Sequence, residues 1–106
     1  MIVAAYRMPV ALGREREFER LFQGKPRLAD MMPGFVRNEF LKPLNGQDYI
    51  VLSYWESRAE FDAWNKSAAC RKSLLRSVGP ELTTGPNRME LFELIGISER
   101  ILEMKD

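Results

Sequence analysis

Histidine is missing altogether from the 106 residues. Imidazole is the usual general base near neutral pH and the commonest side-chain ligand for zinc and haem iron. Its absence excludes a Ser-His-Asp triad, a Cys-His pair, a zinc hydrolase and a His-ligated haem. Cysteine occurs once, as Cys70, so no internal disulfide can form, in keeping with a reducing compartment. No run reaches the roughly 18 apolar residues that span a bilayer, and the opening Met-Ile-Val-Ala-Ala-Tyr-Arg has no charged segment leading into a long apolar one. The expectation is a cytoplasmic protein with no membrane partner. No block of like charge stands out either: 16 basic against 15 acidic residues leave +1, which argues against nucleic acid. Internal repeats and low-complexity segments are also lacking.

What is present is the ordinary mixture of a single domain, 45% hydrophobic and 29% charged, too apolar to be disordered. Residues 2–10, IVAAYRMPV, read as a first strand. Leu12, Phe18, Leu21, Phe22, Leu28, Met31 and Met32 recur at helical steps. Pro26 should kink or restart that helix, and Pro33-Gly34 should end it. Residues 35–42 and 48–56 read as two strands joined through Asn45-Gly46 as a hairpin. Ser57 and Glu60 form a capping box that opens a helix with Phe61 and Trp64 inward. Ser67 can cap a further helical segment carrying Leu74, Leu75 and Val78, stopped by Gly79-Pro80. A polar loop at 81–87 leads to a fourth strand at 88–96, and the tail 98–106 can form a helical turn or two with Ile101 and Leu102 on one side.

The order β-α-β-β-α-β is the split pattern of an α+β ferredoxin-like fold, an antiparallel sheet with helices on one face. In the third strand Tyr49, Val51, Ser53 and Trp55 face one way and Ile50, Leu52 and Tyr54 the other, so neither face is polar enough to be solvated. Strand four repeats this with Met89, Leu91 and Ile95 opposite Phe92 and Leu94. Two helices cover one face only, so a second subunit packed on the other is expected, an ordinary homodimer burying roughly 800 Å² per subunit.

A pocket between helices and sheet is the natural place for a small molecule. Phe22, Tyr6, Asn38 and Trp64 can converge there; the alternative is that Phe22 and Trp64 are simply core. Three strand carboxylates, Glu39, Glu90 and Glu93, are either surface charges or candidate bases.

Met-Pro-Gly-Phe at 32–35, the run Tyr49-Ile-Val-Leu-Ser-Tyr-Trp-Glu-Ser57, then Phe61-Asp-Ala-Trp64 and Ser67, with Gly85-Pro86-Asn87 before the last strand, resemble the antibiotic biosynthesis monooxygenase superfamily, including its haem-degrading branch. The similarity runs from residue 2 to about 95.

The resemblance implies a dimeric α+β barrel with a pocket in each subunit, and oxygenation without flavin or nicotinamide. Some members oxidise electron-rich polycyclic aromatics with no cofactor; others take haem as cofactor and substrate. In the haem branch a Trp presses on the porphyrin, an Asn on the first strand bonds near the iron-bound oxygen, and a His ten residues after the Trp ligates iron. Trp64 matches. The Asn position holds Tyr6 and the His position holds Leu74, which cannot ligate. Cys70, one turn earlier, offers a thiolate or is a small buried hydrophobe. The expectation is therefore an enzyme that requires no cofactor, with Tyr6 and Trp64 as catalytic candidates and Phe22, Asn38, Leu74 and Cys70 around the substrate. Haem bound without histidine, or a ligand-binding dimer without catalysis, are the alternatives.

Overall fold

A computed structural model describes residues 1–21, 28–72 and 82–101. Four strands make one antiparallel sheet in the order β2-β3-β1-β4: β1 (Ile2–Pro9), β2 (Phe35–Leu41), β3 (Asp48–Trp55) and β4 (Arg88–Glu93). The helices are α1 (Glu15–Arg20), α2 (Arg58–Lys66) and the short α3 (Ala68–Arg71), with a 3-10 turn at Leu28–Met31. This is the ferredoxin-like α+β arrangement that the sequence order predicts. None of the helices among the described residues is long and apolar enough to cross a membrane.

Alternation in β1 and β3 decides which side is covered, because successive side chains point to opposite faces. Ala4, Tyr6 and Met8 stand in register with Ser53, Val51 and Tyr49. With Trp55, Phe18, Phe61, Trp64 and Cys70 they form the buried core under the helices. The opposite face carries Val3, Ala5 and Arg7 beside Tyr54, Leu52 and Ile50, flanked by Arg37, Glu39 and Leu41 of β2 and Phe92, Glu90 and Arg88 of β4. A bulge between Phe35 and Arg37 resets β2 and puts Asn38, opposite Ser53, on the helix side.

Several sequence boundaries change. Leu12 is exposed and outside the helical stripe, because Gly13 turns the chain and α1 begins only at Glu15. Met31 is exposed too, and Ala29 is the buried residue of the turn at Leu28–Met31. Gly46 adopts φ +96 in the hairpin, the backbone that Asn-Gly foretold. β4 stops at Glu93 instead of residue 96, and residues 94–101 are not helical. Pro26, Leu75, Val78, Gly79-Pro80 and Leu102 lie outside the described residues.

The entry to α2 is tied to the turn before β2. Ser57 Oγ accepts from the Glu60 amide at 3.3 Å and donates to Glu60 Oε1 at 2.9 Å. This variant of the capping box uses the serine hydroxyl where the usual form uses the cap backbone N–H. The Glu60 side chain lies over Gly34, whose φ is +81; a Cβ there would stand 2.7 Å from Glu60 Cβ and closer still to its carboxyl group. Gly34→Ala is accordingly expected to cost about 2–3 kcal/mol, part from left-handed backbone and part from the displaced cap. Chemical denaturation checks it; an unchanged midpoint would show that the turn relaxes freely.

Candidate functional site

α2 lays Trp64 against the sheet because Phe61 and Trp64, three apart, share its inner face. The Trp64 ring stacks on Trp55 of β3 with centroids 6.1 Å apart and planes at 22°. Trp55 in turn meets Phe61 and Phe35 edge to face, at 6.1 and 5.5 Å. The Trp55 indole N–H donates to Ser53 Oγ at 2.9 Å, so a hydroxyl sits in the floor beside two indoles. Next to Ser53, across the β2–β3 ladder, Asn38 holds a buried carbonyl oxygen that has no hydrogen-bond partner among the described residues. An unmet buried acceptor costs about 1–3 kcal/mol, and a donor on a bound molecule would recover it.

Tyr6 lies on the same side, paired with Val51, its phenol oxygen shielded from solvent. Tyr6, Asn38, Trp64 and Cys70 therefore share the helix-covered side of one sheet, as expected. Phe22 and Leu74 lie outside the described residues. Trp55 and Ser53 belong to the same wall although neither was singled out from the sequence. The signal was there: Ser53 is the one small polar residue in an otherwise apolar alternation.

The donor set does not suit haem held by ordinary axial ligation. The chain has no imidazole, and the Cys70 thiol is 3% exposed within the apolar core. Among the described residues no three His, Cys, Asp or Glu side chains gather.

The strand carboxylates fall elsewhere. Glu39 and Glu90 are on the open face, where Glu39 accepts from Tyr54 at 2.7 Å and Arg37 at 3.3 Å and Glu90 from Arg7 at 3.1 Å. The Tyr54 hydrogen bond holds the Glu39 carboxyl below the usual range. Glu93 is exposed at the end of β4. A depression of about 410 Å³ also belongs to the open face, bordered by Arg7, Leu41, Lys42, Asp48 and Ile50; neither Trp64 nor Tyr6 lines it.

Between α1 and β3 the Tyr49 hydroxyl donates to Glu19, which also meets Lys42 Nζ at 3.0 Å. Those two donors hold the Glu19 carboxyl below its ordinary range. Burial first, then Glu19, pushes the Tyr49 phenol well up. The depressed carboxyl contributes stability above its unfolded value of about 4.3 and loses it as pH falls through the folded value. The raised phenol contributes below about 10 and loses it as pH rises from there toward the folded value. Tyr49→Phe is expected to lower Tm at neutral pH and to flatten its decline on both the acid and alkaline sides. Identical pH profiles for the two proteins would refute the link.

Residues 1–74 match the sequence profile of the antibiotic biosynthesis monooxygenase family. The chain belongs to that family. Its members are monooxygenases or haem oxygenases, and the chain is accordingly an oxidoreductase of this group. A mycobilin-producing haem oxygenase of Mycobacterium tuberculosis is 28% identical over 95 residues, covering 89% of each chain. Among solved structures, the haem degrader MhuD of Mycobacterium tuberculosis with two haems in its active site superposes with TM-score 0.77 at 24% identity, over 93% of this chain and 100% of that one. SnoaB, a cofactor-independent oxygenase from Streptomyces nogalater, superposes with TM-score 0.72 at 20% identity, over 91% of this chain and 94% of that one. Two chemistries thus occur on this one fold, and the site residues must decide between them.

Proposed function

We propose that this chain is a cofactor-independent monooxygenase acting on a hydroxylated aromatic or polycyclic substrate held between helices and sheet. The observation that carries it is the stacked Trp64–Trp55 pair with the unmet Asn38 acceptor alongside. A flat ring finds an indole wall, and a phenolic O–H finds an acceptor. Cys70 adds to the apolar wall in this reading, and Tyr6 bonds the substrate oxygen.

Such a substrate supplies all the electrons. Its anion passes one electron to dioxygen; the carbon radical and superoxide then combine and take up a proton as a hydroperoxide, which loses water to leave a carbonyl. One oxygen atom ends in product and one in water. The protein's work is to bind the anion, align it and exclude water from the radical pair. No carboxylate held up as a base is found on the helix side among the described residues, so the substrate's own acidity sets the ionisation.

The open face supports a homodimer. Arg7–Glu90 at 3.1 Å, Arg88–Asp48 at 2.8 Å, and Arg37 lying 4.1 Å from the Tyr54 ring centre pair its charges internally. Val3, Ala5, Ile50, Leu52 and Phe92 supply the apolar remainder, which suits burial against a second copy.

An oxygen electrode with a panel of anthrones tests the activity: uptake is expected, one dioxygen per carbonyl formed, with kcat/KM lowered about tenfold or more by Trp64→Phe. The rate should follow the ionisation of each substrate. No uptake above buffer across the panel would overturn the proposal. A saturable Soret change on adding haemin, weakened by Trp64→Phe, would transfer the site to haem handling, the chemistry of the mycobacterial relative.

A further inference from the structure

Asn38, Ser53 and Ala4 stand in one row across β2, β3 and β1, on the helix side of the sheet. Ser53 is 2% exposed. Its Oγ accepts the Trp55 N–H at 2.9 Å, and its own proton has no acceptor among the described residues. Beside it the buried Asn38 carbonyl oxygen has no donor among the described residues. A spare hydroxyl donor and a spare amide acceptor thus sit on neighbouring strands, the complement of a group that both donates and accepts. A hydroxyl is the smallest such group. A ring carbonyl or an ether only accepts, and an ionised phenol has no proton to give.

The substrate oxygen that ionises is therefore not the one that Asn38 holds. Spacing leads to the same conclusion. Tyr6 lies two residues along β1 from Ala4, on the same face. With strands ~4.8 Å apart and a rise of ~3.3 Å per residue, the Asn38 and Tyr6 backbones are ~12 Å apart. Side chains stand roughly perpendicular to a sheet, so one substrate oxygen does not bridge the two.

We propose that Asn38 and Ser53 determine specificity at this site by selecting a substrate with a second hydroxyl, one that keeps its proton on the rim of the ring system remote from the ionised oxygen. The inference rests on the oxygenase reading above and adds to it which flat molecules the site prefers. The second hydroxyl donates to Asn38 Oδ1 and accepts from Ser53 Oγ. A hydroxyl next to a ring carbonyl does not qualify, because its proton is already held within the molecule. A methoxy group fails as well, since it leaves the Asn38 acceptor buried and unmet.

Binding of anthraquinones, which cannot react further, tests the selection apart from turnover. Trp55 and Trp64 are the two tryptophans of the chain, and both belong to this wall, so quenching of their fluorescence reports the site. Near pH 6, where its phenol is protonated, 2-hydroxyanthraquinone is expected to bind about tenfold more tightly than 2-methoxyanthraquinone. The isomer 1-hydroxyanthraquinone, whose proton is held by its own carbonyl, should bind like the methoxy compound. Asn38→Leu, shown folded by circular dichroism, should bring the three constants within about twofold of one another. Equal constants in the parent overturn the selection whether or not the variant folds, for they mean that Asn38 and Ser53 satisfy each other. An undiminished preference in folded Asn38→Leu, or no quenching by any of the three, overturns it too. Oxygen uptake from anthrones together with equal constants leaves the oxygenase and removes the selection. A tenfold preference without oxygen uptake leaves the selection and removes the oxygenase.

Discussion

Trp64→Ala is expected to lower the folding free energy by about 3–5 kcal/mol. The residue is 1% exposed, and its ring stacks on Trp55, which also supports Phe61 and Phe35. Removing it leaves a void under α2 that flanking aromatics in fixed edge-to-face contacts cannot readily fill. Small domains have about 5–15 kcal/mol in total, so the variant should unfold at a much lower urea concentration with an unchanged slope. Loss of activity in that variant would say little about chemistry. Trp64→Phe keeps a ring at the site, which is why it is the variant for kinetics. An alanine variant as stable as the parent would mean that Trp64 carries no share of the core.

The same residue shows how far periodicity reaches. Phe61 and Trp64 were legible as inward because three-residue spacing after a Ser57 cap leaves little choice of face, and the alternation Tyr49, Val51, Ser53, Trp55 placed β3 equally well. Leu12 and Met31 were misplaced for a physical reason. Apolar spacing cannot register a positive φ, and Gly13 at +87 turns the chain before α1 can start. Residues 98–101 are not helical, and the rest of the segment expected to turn as helix lies outside the described residues.

Within the site, Tyr6 and Asn38 fell on the covered side as expected. The roles of Glu39 and Glu90 were undecidable from sequence, since they depend on strand register and on the Phe35/Arg37 bulge. Ser53 as the acceptor for Trp55 could not be read either. Two residues apart on one strand, they share a face, but a hydrogen bond between them depends on side-chain angles that no pattern records.

Leu52→Asp is expected to abolish dimerisation, raising the dissociation constant by about four orders of magnitude. Leu52 is at the middle of the open face, opposite Ala5 on one side and Glu39 on the other. In a single subunit Leu52 is half-buried, and a carboxylate there still reaches water. Against a second copy it would be desolvated beside Ala5 and a carboxylate that is already committed to Tyr54 and Arg37, at about 3 kcal/mol per buried unpaired charge. Two-fold symmetry places one such charge in each copy, so about 6 kcal/mol is lost, and 1.4 kcal/mol corresponds to a factor of ten. Sedimentation should then show a folded monomer. Were the Leu52→Asp protein to sediment with the parent, the open face would not be what the two copies share.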